Sequence, residues 1–213
     1  MHEVYETLAQ GGWLMAPIGV CSLLALTVII ERAIALRRNH VIDARVADAV
    51  SEYDGHHPPA EVQQIARQGK GAFARIVEET IKARHLGHAQ LIETMHATGR
   101  TQVGYLQRGL TALEIIAGIS PLMGLLGTVL GMVTVFNAIT VEGIGNPQVL
   151  SAGISQALIT TVAGLSVAIP ALAAWSWFSR RVEELATEMQ ERITAFTARL
   201  AAHENGGPAL DAE

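Results

Sequence analysis

Long runs of apolar residues dominate the pattern along this chain of 213 residues. Three runs have the length of a membrane-spanning helix, which takes about 20 residues to cross roughly 30 Å of hydrocarbon. We expect these spans at 13–36, 115–139 and 154–178. The pattern therefore predicts an all-α integral membrane protein with three transmembrane helices.

Apolar residues also recur at steps of three and four outside the spans, which is the spacing of one helix face. After the third span this stripe consists of Val182, Leu185, Met189, Ile193, Phe196 and Leu200. We expect the third helix to continue into 179–213, and one long helix from about His88 to Ile139. The first helix is expected to continue as far as DGHHPP at 54–59, where the two prolines break it. Helices 2 and 3 would then extend into a helical bundle together with the region 37–114.

The distribution of basic residues predicts how the chain is oriented in the membrane. Of the 15 basic residues, eleven lie between Arg32 and Arg108, four lie between Arg180 and Arg199, and none lies in 1–30 or 115–178. Basic residues are enriched on the cytoplasmic side of membranes. We therefore expect the tail 1–12 and the loop 140–150 outside, and the remaining polar regions inside the cell. The net charge of −5 combines both signs, so a nucleic-acid partner is not indicated.

The chain offers little to an enzyme or a metal. His85 and His88 could share a helix face, and His56 and His57 are adjacent, but no cysteine or carboxylate completes a ligand set. Cys21 is the single cysteine. Phosphate-binding glycine loops, nucleophile elbows and metalloprotease patterns are not found in the sequence. We expect a protein that is not an enzyme and has neither cofactor nor metal.

Two uncharged segments, PLMGLLGTVLGM at 121–132 and GISQALITTVAGLSVAIPA at 153–171, form the centre of the chain. They are rich in small residues, and small residues let membrane helices approach closely. Pro121 and Pro170 each interrupt the hydrogen-bond ladder of a helix and allow a kink. We assign helix packing or kinking to these positions: Pro121, Gly124, Gly127, Gly131, Gly164 and Pro170.

A few polar side chains interrupt these segments. Thr128 lies near the middle of the second span, and the third span contains Gln156, Thr160 and Thr161. Gln156 and Thr160 are four residues apart and share a face. An amide is costly to leave unsatisfied in lipid, so Gln156 should face a neighbour or a water-lined cavity. One subunit cannot enclose a pathway with so thin a polar strip, which favours a homo-oligomer around a pore or a central partner.

The same two segments resemble the pore helices of the ExbB/TolQ/MotA family of proton-driven motor subunits. The similarity rests on GLLGTVLGM after ISPLM, on GISQALITTVAGLSVAIPA, and on the three-span layout. Three spans and the absence of an extended MotA-type domain favour the ExbB and TolQ branches. The resemblance implies a bacterial inner-membrane pentamer around a dimer of ExbD-like single-span helices. Its work would be to energise outer-membrane transport through a TonB-like transducer.

Roles for individual residues follow from this resemblance. Thr128 and Thr161 match the pore threonines, which face a membrane aspartate of the partner, and Thr160 lies beside them. Gln156 occupies a position where many ExbB and TolQ members have glutamate, so the titrating carboxylate would come from the partner. Glu114, at the cytoplasmic mouth of the second span, either exchanges protons there or is an interfacial residue paired with arginine or water.

Other interpretations remain open at this stage. A TolQ-like motor would serve envelope maintenance and outer-membrane constriction, and a scaffold with a closed pore would need no ion flow. A small-solute transporter is disfavoured because the sequence contains neither an internal repeat nor a charged substrate site. Protons are favoured over sodium, because two threonines and one amide offer few oxygen ligands.

Overall fold

The computed structural model describes residues 11–142 and 147–205. Most of the predicted tail 1–12, the centre of the predicted loop 140–150 and the last residues, 206–213, lie outside the described residues. Every regular element in the described part of the chain is a helix, so the prediction of an all-α protein is confirmed. The helices are α1 (Met15–Ala35), α2 (Arg38–Val41), α3 (Ala44–Glu52), α4 (Ala60–Gln68), α5 (Ala72–Lys82), a 3-10 turn (Ala83–Leu86), α6 (His88–Gln107), α7 (Leu110–Glu142) and α8 (Pro147–Asn205).

Three of these helices are long and apolar enough to cross a membrane. They contain the stretches Met15–Ala35, Leu110–Asn137 and Ser151–Ala202. Large apolar side chains such as Leu23, Leu122 and Ile169 are exposed on them. Such faces are expected of helices whose solvent is lipid. The prediction of three transmembrane helices is therefore confirmed.

The described residues divide into two compact units. The transmembrane unit contains the described residues up to Arg32 and those between Gly109 and Trp177. The bundle unit contains Ala33–Arg108 and the described residues from Phe178 to Asn205. Helix α8 contributes residues to both units. Its continuity to Asn205 confirms the predicted extension of the third span.

The prediction of one helix from His88 to Ile139 is wrong. The backbone leaves the helix between Gln107 and Leu110, where Gly109 adopts a φ of 83°. Glycine reaches this left-handed region without the steric penalty of a Cβ, so it ends helices readily. A guanidinium–ring contact precedes the break, with the Arg108 Cζ 4.4 Å from the Tyr105 ring centroid.

The first helix is also shorter than predicted. It ends at Ala35 rather than running to the prolines at 54–59, and two short helices, α2 and α3, follow it. Extended backbone at Arg37 separates α1 from α2, and Asp43 then starts α3 as its N-cap. The Asp43 carboxylate accepts a hydrogen bond from the Arg45 N–H at 3.1 Å, which satisfies a donor that the helix itself leaves free.

The core of the bundle unit is built from large apolar side chains on α3 to α6 and on the second half of α8. Phe73 and Phe196 are fully buried, and the Phe196 ring centroid lies 5.3 Å from that of Tyr53. Five of the six residues of the stripe predicted after the third span belong to this core, and the sixth, Val182, is also buried. Burial of a large side chain of this kind contributes about 1.5–3 kcal/mol to folding.

Polar contacts tie α8 to the other helices of the bundle unit. The Arg199 guanidinium donates to the carbonyl oxygens of Val50, Ser51 and Tyr53 at 3.0–3.3 Å, in the last turn of α3 and at its C-cap. Arg38 forms a bidentate ion pair with Glu188, in which its Nε lies 3.2 Å from Oε2. Hydrogen bonding from Arg38 lowers the pKa of the Glu188 carboxyl below its usual value.

Candidate functional site

The backbones of α7 and α8 approach each other closely inside the transmembrane unit. A Cβ added to Gly131 would lie 2.8 Å from the Gly153 carbonyl oxygen, and one added to Gly124 would lie 3.0 Å from the Thr161 Cα. One added to Gly164 would lie 2.5 Å from the Ser120 carbonyl oxygen. Backbone atoms cannot rotate away as a side chain can, so these positions accept no side chain without helix movement. Small residues permit the same close approach between membrane helices in general.

Thr161 and Thr128 converge on one backbone carbonyl of α7. The Thr161 hydroxyl donates across the helix contact to the Gly124 oxygen at 3.2 Å, and also to the Ala157 oxygen of its own helix at 3.2 Å. Gly124 is four residues before Thr128, so its oxygen also accepts the Thr128 N–H in the helical ladder. The half-buried Thr128 hydroxyl donates to the Leu125 oxygen at 2.7 Å. Thr161 thus contacts α7 one helical turn before Thr128, while the Thr128 hydroxyl bonds within its own helix.

Thr160 has a different position from its neighbour. It is only 1% exposed and lies inside the helix contact, where a Cβ added to Gly127 would overlap its hydroxyl. That hydroxyl donates to the Gln156 and Ala157 oxygens of its own helix at 3.1 and 2.9 Å. Both carbonyls that accept from the Thr160 hydroxyl belong to its own helix. In this chain the Thr160 side chain therefore fills the contact between α7 and α8 and does not face an open path.

The Gln156 side chain meets the beginning of α1. A Cβ added to Gly12 would overlap the Gln156 carboxamide nitrogen, and Gly12 itself has a φ of 72°. A left-handed backbone without a Cβ therefore makes room for the amide. Gln156 is half-buried, and its amide packs against this chain's own backbone.

Glu114 and Thr128 lie on one side of α7. Fourteen residues separate them, which is about 21 Å of helix and close to four full turns. Pro121 lies midway on the same side by the same count. Glu114 is exposed, and it has no hydrogen-bond or ion-pair partner among the described residues. Its proton-exchange role stays a prediction.

Both prolines lie inside uninterrupted helices, Pro121 in α7 and Pro170 in α8. Because proline has no N–H, the carbonyls of Ala117 and Ser166 lose their helical donors. Sequence analysis overlooked a residue beside the first of these sites, Ser120, whose hydroxyl is buried without a partner. The sequence feature that could have identified Ser120 is a hydroxyl residue directly before a proline in an otherwise apolar span.

No group of three histidine, cysteine, aspartate or glutamate residues suited to a metal ion occurs in 11–142 or 147–205. The arrangement in the transmembrane unit is instead a set of hydroxyl, amide and carbonyl groups along a helix contact. Groups of this kind can bind water and can donate or accept hydrogen bonds. A carboxylate facing them would supply the titratable group that the contact itself lacks.

Comparisons with known proteins place this chain in a family. ExbB-like 1 of Synechocystis sp. is 34% identical over 80% of this chain and 68% of that protein. The biopolymer transport protein exbB1 of Vibrio cholerae is 29% identical over 81% of this chain and 78% of that protein. The Tol-Pal system protein TolQ of Haemophilus influenzae is 30% identical over 64% of this chain and 55% of that protein. The profile of one family matches residues 65–191, which include Thr128 and Thr161, and this chain belongs to that family, the MotA/TolQ/ExbB proton channel family.

Proposed function

We propose that this chain is an ExbB-like subunit of an inner-membrane motor driven by the proton-motive force. The observation that carries the proposal is the hydrogen bond from the Thr161 hydroxyl to the Gly124 carbonyl, one turn before Thr128 on α7; we call this contact the Gly124 junction. A hydroxyl that bonds across two helices holds its oxygen at a defined place in a region otherwise made of apolar groups. Such an oxygen can accept a hydrogen bond from a protonated carboxyl on a neighbouring helix.

The chain would act as a homo-oligomer, with five copies around a dimer of ExbD-like single-span helices. Each of those helices would carry a membrane aspartate facing Thr128 and Thr161. The N-terminus would lie in the periplasm and the C-terminus in the cytoplasm. A TonB-like protein would receive the motion and use it to energise transport across the outer membrane.

Proton transfer would drive the motion through the charge of the aspartate. Each proton crossing a potential of 100 mV releases about 2.3 kcal/mol. A charged aspartate at the centre of a bilayer costs about 2.5–3.5 kcal/mol on insertion scales. Protonation removes that cost, so the partner helix can pass an apolar wall only when its carboxyl is neutral. Protons would leave to the cytoplasm past Thr161, Thr128 and Glu114.

Gln156 fits this scheme as an uncharged group near the outer end of the path. It packs against Gly12, where the carboxamide can orient water through one acceptor and two donor positions. The proton-carrying carboxylate is then supplied by the partner.

The TolQ-like function is the second candidate, and the similarity to TolQ of Haemophilus influenzae supports it. Complementation separates the two. An ExbB-like subunit, expressed with its own partners, restores siderophore-dependent growth to a strain without ExbB. A TolQ-like subunit instead restores detergent resistance to a strain without TolQ.

Proton flux into proteoliposomes that contain this chain and its ExbD-like partner tests the motor itself. We expect flux in the wild type, its loss when the partner aspartate is changed to asparagine, and a decrease in Thr161→Val, which keeps the shape but removes the hydroxyl. Thr134→Val is the matched control, because among the described residues the exposed Thr134 hydroxyl bonds only to the Leu130 oxygen of its own helix.

Gln156→Glu adds the informative fourth variant. Flux that appears only in this variant, and not in the wild type, would contradict the proposal and favour a scaffold with a closed pore. Equal flux in Thr161→Val and the wild type would contradict the role that we assign to the hydrogen bond between Thr161 and the Gly124 carbonyl.

A further inference from the structure

Four hydroxyl side chains are buried in the described residues, and three of them have the same kind of partner. Thr80, Thr160 and Thr197 each donate to a carbonyl oxygen about one turn earlier in their own helix, at 2.7–2.9 Å. Ser120 is 0% exposed, and its hydroxyl has no hydrogen-bond partner among the described residues. Ser120 differs from the other three, because a buried hydroxyl in a helix ordinarily donates to a carbonyl oxygen of its own helix.

A second unsatisfied group lies next to the Ser120 hydroxyl. Pro121 has no N–H, so the Ala117 carbonyl receives no donor from the helical ladder. Ala117 is three residues before Ser120, the separation at which Thr128 and Thr160 reach a carbonyl in this same unit. A hydroxyl and a carbonyl that both need partners therefore share one turn of α7.

The surroundings of this turn are apolar or carry little side chain. The backbone carbonyl oxygen of Ser120 lies against Gly164 of α8, and the next buried position on its own helix is Gly124. Neither glycine can supply a side-chain donor or acceptor. A water molecule can donate to the Ala117 carbonyl and pair with the Ser120 hydroxyl at the same time, and buried waters are found where they satisfy such groups.

The position of Ser120 along α7 suggests what such a water would do. Ser120 is eight residues before Thr128 and six after Glu114, or about 12 Å and 9 Å along the helix axis. Between those two residues α7 has no other side chain with an oxygen or nitrogen atom. A proton leaving the Gly124 junction along this helix has no other side-chain hydrogen-bonding group before Glu114.

We propose that Ser120 and the Ala117 carbonyl hold a water molecule, and that this site passes protons between the Gly124 junction and Glu114. The water site is inferred from two neighbouring groups that lack partners, whereas its part in proton transfer rests on the proposed function. The proton enters on the bound water and leaves from it by hydrogen-bond exchange, so no covalent bond of the protein changes. Ser120 is in this sense a positioning residue.

Thermal unfolding of the purified full-length chain in detergent tests the water site independently of function. If water bridges the two groups, Ser120→Ala loses hydrogen bonds and the midpoint falls by about 2–4 °C. If the hydroxyl is simply unsatisfied in a dry contact, removing it leaves the midpoint unchanged or raises it, and the proposal is overturned. Ser22→Ala, at an exposed hydroxyl on α1, is the control and should leave the midpoint unchanged.

Proton flux in proteoliposomes with the ExbD-like partner tests the role in transfer. We expect Ser120→Ala to lower the flux about three- to tenfold, and Ser120→Thr, which keeps a hydroxyl, to retain most of it. Wild-type flux in Ser120→Ala, or equal losses in both variants, would refute the role. If the wild type itself carries no flux, the proposed function fails, and the unfolding experiment alone decides the water site.

Discussion

The two units of this chain pack their helices by opposite means. In the transmembrane unit α7 and α8 meet through residues that lack side chains, so that backbone lies against backbone. In the bundle unit the contacts are made by large side chains such as Phe73 and Phe196. Lipid is as apolar as leucine, so burying a large side chain gains little there, and close backbone contact matters instead. In water the burial of apolar area is the main driving force.

The contrast predicts opposite sensitivities to truncation, and the largest expected effect is in the bundle unit. Phe196→Ala removes a fully buried ring and should cost about 3–5 kcal/mol of stability. Phe136→Ala on α7 removes a ring that is 60% exposed and should cost far less. Unfolding monitored by circular dichroism in detergent measures both. Equal losses would mean that the two units do not differ in this way.

Adding a methyl group should give the reverse pattern. Gly164→Ala places a Cβ 2.5 Å from the Ser120 carbonyl oxygen and should destabilise by about 1–3 kcal/mol. Gly99→Ala in α6 is the matched control, because a Cβ there meets nothing within 4 Å. Alanine favours the helix by about 0.8–1.0 kcal/mol over glycine, so the control should stabilise. Two changes of the same sign would refute the contrast.

A smaller effect separates the adjacent threonines. Thr161→Val removes a hydrogen bond between two helices, and such bonds contribute about 0.6 kcal/mol on average in membrane proteins. Thr160→Val removes a bond within one helix and should change the unfolding midpoint less. A larger loss in Thr160→Val would contradict the assignment of the interhelical bond to Thr161.

The smallest effect is electrostatic and belongs to the bundle unit. Arg38 lowers the folded-state pKa of Glu188, so the pair stabilises the fold above the ordinary glutamate pKa of 4.5 and is lost as pH falls through the lower folded-state value. Both side chains are partly exposed, so the contribution at pH 7 should be about 0.2–1 kcal/mol. The midpoint difference between the wild type and Glu188→Gln should therefore shrink from pH 7 to pH 4.

The same substitution in a chain that already carries Arg38→Gln serves as the control and should show a smaller pH-dependent difference, because the guanidinium that lowers the Glu188 pKa is absent. A difference between the wild type and Glu188→Gln that is undiminished at pH 4 would mean that the substitution acts through packing rather than through charge.

Apolar periodicity was sufficient to predict the long elements. The three spans follow from uninterrupted apolar runs, and the continuation of α8 to Asn205 follows from a stripe whose members are all buried. The breaks were harder to predict, because a glycine inside a helical pattern either costs a little stability or ends the helix. Gly99 and Gly104 remain helical whereas Gly109 does not, and propensity alone does not distinguish them.

The sequence predicted which residue types form the candidate site, but it did not predict the contacts that those residues make. Thr160 and Thr161 are adjacent and chemically identical, yet one fills the helix contact and the other bonds across it. Gln156 meets Gly12, more than a hundred residues away in the chain. Neither relationship is encoded in local spacing, since both depend on which face of α8 turns toward α7 and α1.

By itself, then, the sequence determined the helical class, the three spans and the family, because these depend on composition and on local order along the chain. The tertiary structure decided which hydroxyl crosses between helices and which is enclosed. It also decided that Ser120 would be buried beside a carbonyl without a donor. Whether these hydroxyl and carbonyl groups find hydrogen-bond partners depends on where two helices meet. That position is a property of the packed helices and not of either segment alone.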